Sequence, residues 1–118
     1  MIAVHITPGA NPQLTEVADG KAWEALRAMF PDGFDGIRLG HQVIGYVGDS
    51  SLLDGSPHNA GALAVARAVY QARAGRSYHT DICGPMLILG ISRGGESMSV
   101  PAWFLAEFLP ALAGGEVA

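Results

Sequence analysis

One stretch constrains the fold more than any other. Residues 59–91 combine an amphipathic helical pattern, a polar turn and a continuous apolar run, Met86-Leu87-Ile88-Leu89-Gly90-Ile91. In the helical part, Leu63, Ala66, Val69 and Tyr70 recur three or four apart and define one face. Ala60, Gly61, Ala62, Ala64 and Ala68 keep the helix thin, so that its backbone can approach a sheet closely. Asn59 suits the N-cap because its side-chain oxygen can accept a first-turn N–H; Ser56-Pro57 is the rival start. Gly75 is a natural stop, and Arg73 suits the negative pole, so the pattern predicts a helix over 59–74. The run that follows is bounded by Gly84-Pro85 and Gly94-Gly95, as expected of a strand buried on both faces.

The other elements follow from weaker patterns. Ile2, Val4 and Ile6 alternate in a first strand, which turns His5 to the opposite face. Asp19 is placed to cap a helix over 21–30 with Trp23, Leu26 and Phe30 as its buried stripe. Residues 34–47 hold one or two strands, with Gly40-His41 as a turn or bulge between them. Leu52-Leu53 packs under a loop or forms a short edge strand. Gly94-Gly95-Glu96-Ser97 is a flexible bend, after which Ser99 caps a last helix with Pro101 in its first turn and Pro110 disturbing its end. The expected fold is α+β: a small mixed sheet carrying two or three helices, in the order β-α-β-β-α-β-α, with a ferredoxin-like arrangement as the runner-up. Residues 1–113 form a single domain and 114–118 a frayed tail.

Composition narrows the function classes. A chain of 118 residues with 49% hydrophobic and 15% charged side chains has enough apolar surface for a core and is not a disordered segment. Its net charge of −4 disfavours binding along a nucleic-acid backbone, which needs a basic face. Arg67, Arg73 and Arg76 form one local basic spot, which solvation of a helix C-terminus also explains. One cysteine excludes an internal disulfide and argues against a structural zinc site. The expectations are no signal peptide, no membrane span and a cytoplasmic location in a host cell.

The helix opening Asn59-Ala60-Gly61-Ala62-Leu63, the strand Gly84-Pro85-Met86-Leu87-Ile88-Leu89-Gly90 and the upstream Gln42-Val43-Ile44-Gly45-Tyr46-Val47 together carry a likeness. Across roughly the middle two-thirds of the chain, they resemble a family of short uncharacterised proteins of bacteriophages and mobile elements, a domain of unknown function. The family usually has Gly-Gly where this chain has Ile44-Gly45. The resemblance implies a phage accessory protein and supplies no activity or site residues.

Three constellations bear on chemistry. Gly90-Ile91-Ser92-Arg93-Gly94 matches the G-x-S-x-G pattern of a hydrolase nucleophile elbow, but no histidine follows Ser92 and no helix starts directly after it, so a strand-ending turn is expected. The glycines there, with Ser92, Arg93 and Gly94, can also present N–H groups and a positive charge to an anion. His79, Asp81 and Cys83 alternate, and an extended backbone would place all three on one face, as a Cys-His pair or as metal ligands. His5, His41 and His58 lie in separate elements without ligand spacing and are read as structural or exposed. The pattern calls for no cofactor and no metal. In the last helix, Trp103, Phe104, Leu105, Phe108, Leu109 and Leu112 spread over more arc than one core face needs. Trp103, Phe104, Glu107 and Phe108 are therefore the expected partner-binding residues. The function expected is a non-enzymatic phage-type accessory protein that binds a host protein or itself through that helix. The alternative is a small enzyme or ligand-binding protein using the His79/Asp81/Cys83 face or the Ser92 turn.

Overall fold

The computed structural model describes residues 1–52 and 54–113. The expectations for Leu53 and for the tail 114–118 lie outside the described residues. The elements are β1 (Ile2–Ile6), β2 (Gln13–Glu16), α1 (Ala22–Met29), β3 (Phe34–Gly40), β4 (Val43–Gly48), α2 (Ala60–Val69), β5 (Met86–Ile91), β6 (Ser97–Met98) and α3 (Ala102–Phe108). The fold is α+β, with the sheet order β2-β1-β5-β4-β3 and β6 paired to the end of β5. The described pairings are antiparallel throughout, where a mixed sheet was expected.

β5 is the centre of the sheet, and its apolar run explains why. Met86 and Ile88 face a core shared with Val4, Ile6 and Val43 and covered by Leu63, Ala66 and Val69 of α2 and Phe104 of α3. Leu87 and Leu89 face the opposite side, where Ala22 and Leu26 of α1, together with Phe30, cover them. Each such burial contributes about 1.5–3 kcal/mol, and only a strand covered on both faces can use apolar residues at every position.

Two strands and three helix details differ from expectation. β2 is mostly polar, and only Leu14 reaches the core; pairing with β1 makes it a strand. β6 takes up the side of β5 that β1 leaves, pairing Met98 with Gly90. Asp19 does not cap α1 but lies 3.0 Å from the N-terminal ammonium. Trp23 is 61% exposed and Ala22 takes its place in the core. Ser99 does not cap α3: its Oγ accepts from the N–H of Ile2 at 2.8 Å, and Pro101 occupies the cap position.

The asparagine-led helix forms as expected. Asn59 is fully buried, and its Oδ1 accepts from the N–H of Ala62 at 3.0 Å. Its Nδ2 donates to the carbonyls of Ile6 at 2.9 Å and Gly84 at 2.8 Å. One side chain thus ties the start of α2 to β1 and to the chain entering β5. After Val69 the helix widens into one π-type turn, Tyr70–Ala74, and Gly75 ends it at φ 63°, a left-handed value suited to glycine.

Candidate functional site

Two polar surfaces flank the two ends of β5. At its start, residues 57–59 run antiparallel to residues 82–84. The Asn59 N–H donates to the Ile82 carbonyl at 2.8 Å, the Gly84 N–H donates to the Pro57 carbonyl at 2.7 Å, and His58 pairs with Cys83 as a single bridge. This clip, anchored by the buried Asn59, brings together His58, Asp81 and Cys83. His58 Nδ1 lies 2.7 Å from Asp81 Oδ1. The Cys83 thiol donates to Asp81 Oδ2 at 3.8 Å. The nitrogen, oxygen and sulfur atoms all lie within 4.8 Å of one another. Loss of hydration first, then the negative charge of Asp81, pushes the Cys83 thiol up from its ordinary value. Asp81 and Cys83 also line a groove of about 410 Å³ that reaches Asp35 and Arg38 on β3.

The face expected from alternation was His79, Asp81 and Cys83. Asp81 and Cys83 do converge, but His79 does not join them. Tyr78 and Ile82 are buried, and His79 instead lines a separate hollow with Arg67 and Gln71. The histidine that joins the pair is His58, from 23 residues before Asp81. Its one sequence signal was its place beside the Asn59 cap, whose buried partners bring distant segments together.

At the other end of β5 the surface is cationic. Arg38 and His41 line two concavities. One, of about 600 Å³, is completed by Arg73 of the π-type turn and by Arg76, just past Gly75. The other, of about 240 Å³, is completed by Gln42, Ser92 and Arg93. Four of the chain's seven Lys and Arg residues therefore surround these concavities, and no carboxylate lines either among the described residues. Arg38, Arg76 and Arg93 have no ion-pair partner among the described residues, whereas Arg73 pairs with Glu107. The sequence presents Arg67/Arg73/Arg76 and Ser92/Arg93/Gly94 as separate features; Arg67 lines the hollow with His79 instead, and the β3–β4 hairpin brings Arg38 and His41 between the rest.

Ser92 is part of a hairpin turn. Its Oγ accepts from the Glu96 N–H at 3.0 Å, its N–H donates to the Glu96 carbonyl at 2.9 Å, and the Ser92 carbonyl accepts from the Gly95 N–H at 3.0 Å. The resemblance to a nucleophile elbow ends there, because the chain continues into β6 instead of a helix. Gly94 is exposed at the turn's tip.

The expected partner surface on α3 is largely turned inward. Phe104 is fully buried and belongs to the core, so it offers nothing to a partner. Trp103 is half-buried, with the Arg73 guanidinium stacked 4.3 Å from its ring centre. Glu107 is exposed but engaged by Arg73, and Phe108 is half-buried against Phe104. The width of the apolar arc reflects a short helix wedged between the core and the π-type turn.

Family models, curated proteins and solved structures yield no match to this chain. Among the described residues, no helix is long and apolar enough to cross a membrane.

Proposed function

We propose that the protein is a non-enzymatic accessory module of the phage type, and that it works by holding an acidic segment of a host protein on the cationic surface at the end of β5. The observation that carries this reading is the gathering of Arg38, His41, Arg73, Arg76 and Arg93 around two adjoining concavities in a chain of net charge −4. Arg73 is neutralised by Glu107, but no carboxylate among the described residues lines either concavity, so Arg38, Arg76 and Arg93 raise the local potential and steer an acidic ligand to the surface. The overall negative charge opposes a long polyanion such as nucleic acid, while a short acidic peptide meets only the local patch. Helix α3 is not the chosen surface, because Phe104 lies in the core and Arg73 covers Trp103.

Binding of a labelled poly-glutamate peptide, followed by fluorescence anisotropy at several salt concentrations, tests the reading. Three cationic contacts of about 1 kcal/mol each in water amount to roughly a hundredfold in affinity. The triple variant Arg38→Glu/Arg76→Glu/Arg93→Glu is expected to lose at least that much, and added salt is expected to weaken the wild type. Peptide binding unchanged by the triple variant would overturn the assignment of the surface. Tighter binding of a single-stranded oligonucleotide than of the peptide would overturn the class of partner. Capture of one repeatable host protein, lost in the triple variant, would identify the partner.

A further inference from the structure

The cluster at the start of β5 carries chemistry that the acidic-partner reading does not use. We propose that His58, Asp81 and Cys83 form a binding site for a divalent transition metal, with zinc as the natural occupant. The donor set decides the kind of ion: an imidazole nitrogen with a thiolate selects zinc and its neighbours over magnesium or calcium, which take oxygen ligands. Asp81 and an ionised Cys83 supply two negative charges, which balance a divalent ion. Three protein ligands leave one of zinc's four positions to water or another ligand.

The geometry is close to what such an ion needs. With metal–ligand bonds of about 2.0–2.3 Å, donors around a tetrahedral ion stand roughly 3.3–3.8 Å apart. His58 Nδ1 stands 2.7 Å from Asp81 Oδ1 and Cys83 Sγ 3.8 Å from Asp81 Oδ2, and the three donors lie within 4.8 Å, so rotations of the His58 and Cys83 side chains bring them around one ion. His58 is half-exposed and can turn, while the Ile82 N–H, donating to Asp81 Oδ1 at 2.9 Å, holds the Asp81 carboxylate in place. The backbone needs no such change. The His58–Cys83 bridge, the two flanking hydrogen bonds and the buried Asn59 hold the two segments in register. Ligands from two chain segments fixed by a shared anchor make a preorganised site.

Zinc affinity of the full chain, measured by competition with a chromophoric chelator, tests the proposal and needs no acidic partner. One equivalent of zinc is expected. Cys83→Ser, His58→Gln and Asp81→Asn are each expected to weaken binding by at least about 100-fold, the upper range for losing even an outer-shell partner. His79→Gln and the cationic-surface variant Arg93→Gln are expected to bind as the wild type does. Wild-type affinity in Cys83→Ser or His58→Gln would overturn the site, and so would the absence of stoichiometric binding. If a ligand variant does not fold, the unaltered chain still decides, because Cys83 is its only cysteine. Zinc is expected to slow alkylation of Cys83, and alkylation at the same rate with and without zinc contradicts the proposal.

Discussion

At the start of β5, residues 81–84 are clipped to residues 57–59, and three side chains with different donor atoms meet within 4.8 Å. At its end, residues 92–95 turn back on themselves, and the polar atoms of Ser92 are spent on Glu96 and Gly95 of the same hairpin. Both segments showed chemical motifs in the sequence: an alternating His-Asp-Cys at one end and G-x-S-x-G at the other. The difference lies in where the partners come from. A polar turn that satisfies itself from within a few residues has nothing left to offer a substrate. A polar segment held against a distant one exposes donors that only the fold brings together. The cationic surface follows the same rule, since Arg38, Arg76 and Arg93 belong to three separate segments and have no carboxylate partners among the described residues.

The largest test of this contrast is Asn59→Ala. It removes three hydrogen bonds and leaves the Ile6 and Gly84 carbonyls and the Ala62 N–H without that partner. At about 1 kcal/mol for each bond, and more where a group is left buried and unpaired, the expected loss is about 3 kcal/mol or more by denaturant unfolding. A loss below about 1 kcal/mol would mean that Asn59 does not anchor the clip.

At the other end, Gly90→Ala is expected to cost about 1–3 kcal/mol, because the added Cβ would collide with the carbonyl oxygen of Ser99 where β6 pairs with β5. An unchanged midpoint would show that β6 gives way easily. Ser92→Ala removes one exposed bond to the Glu96 N–H, and about 1 kcal/mol or less is expected. A larger loss would make the turn more than a self-contained hairpin.

The smallest effect is a pH dependence beside the clip. Burial, then the charges of Tyr70 and Asp81, raise the Tyr78 phenol above its ordinary value of 10.0. The folded state thus favours the neutral phenol. This contribution is intact below the ordinary value and is lost as pH rises through the folded value. Tyr78→Phe is expected to flatten the alkaline fall in stability; the same fall in the variant would show that Tyr78 is not its source.

What the sequence made legible was whatever rested on near neighbours. The Asn59 cap, the Gly75 stop and the two-faced burial of β5 follow from local spacing, and the structure has all three. β2 and β6 were not legible, because Gln13–Glu16 and Ser97–Met98 are strands only through the partners they meet. Trp23 was misplaced because Ala22, Leu26 and Phe30, with Ala3 and Val17, already fill the space against Leu87 and Leu89. At the candidate site, alternation correctly joined Asp81 to Cys83 but chose the wrong histidine. The backbone before Asp81 buries Tyr78 and leaves His79 exposed, and no spacing rule links residue 58 to residue 83.

Cobalt(II), whose absorption reports its own ligands, gives the most direct measurement of whether distant donors truly form one site. Titrated into the full chain, it is expected to show a thiolate-to-metal charge-transfer band and the intense visible bands of four-coordinate cobalt, unchanged in His79→Gln and lost in His58→Gln. A weak six-coordinate spectrum without the charge-transfer band, or a full spectrum that survives in His58→Gln, would contradict the account.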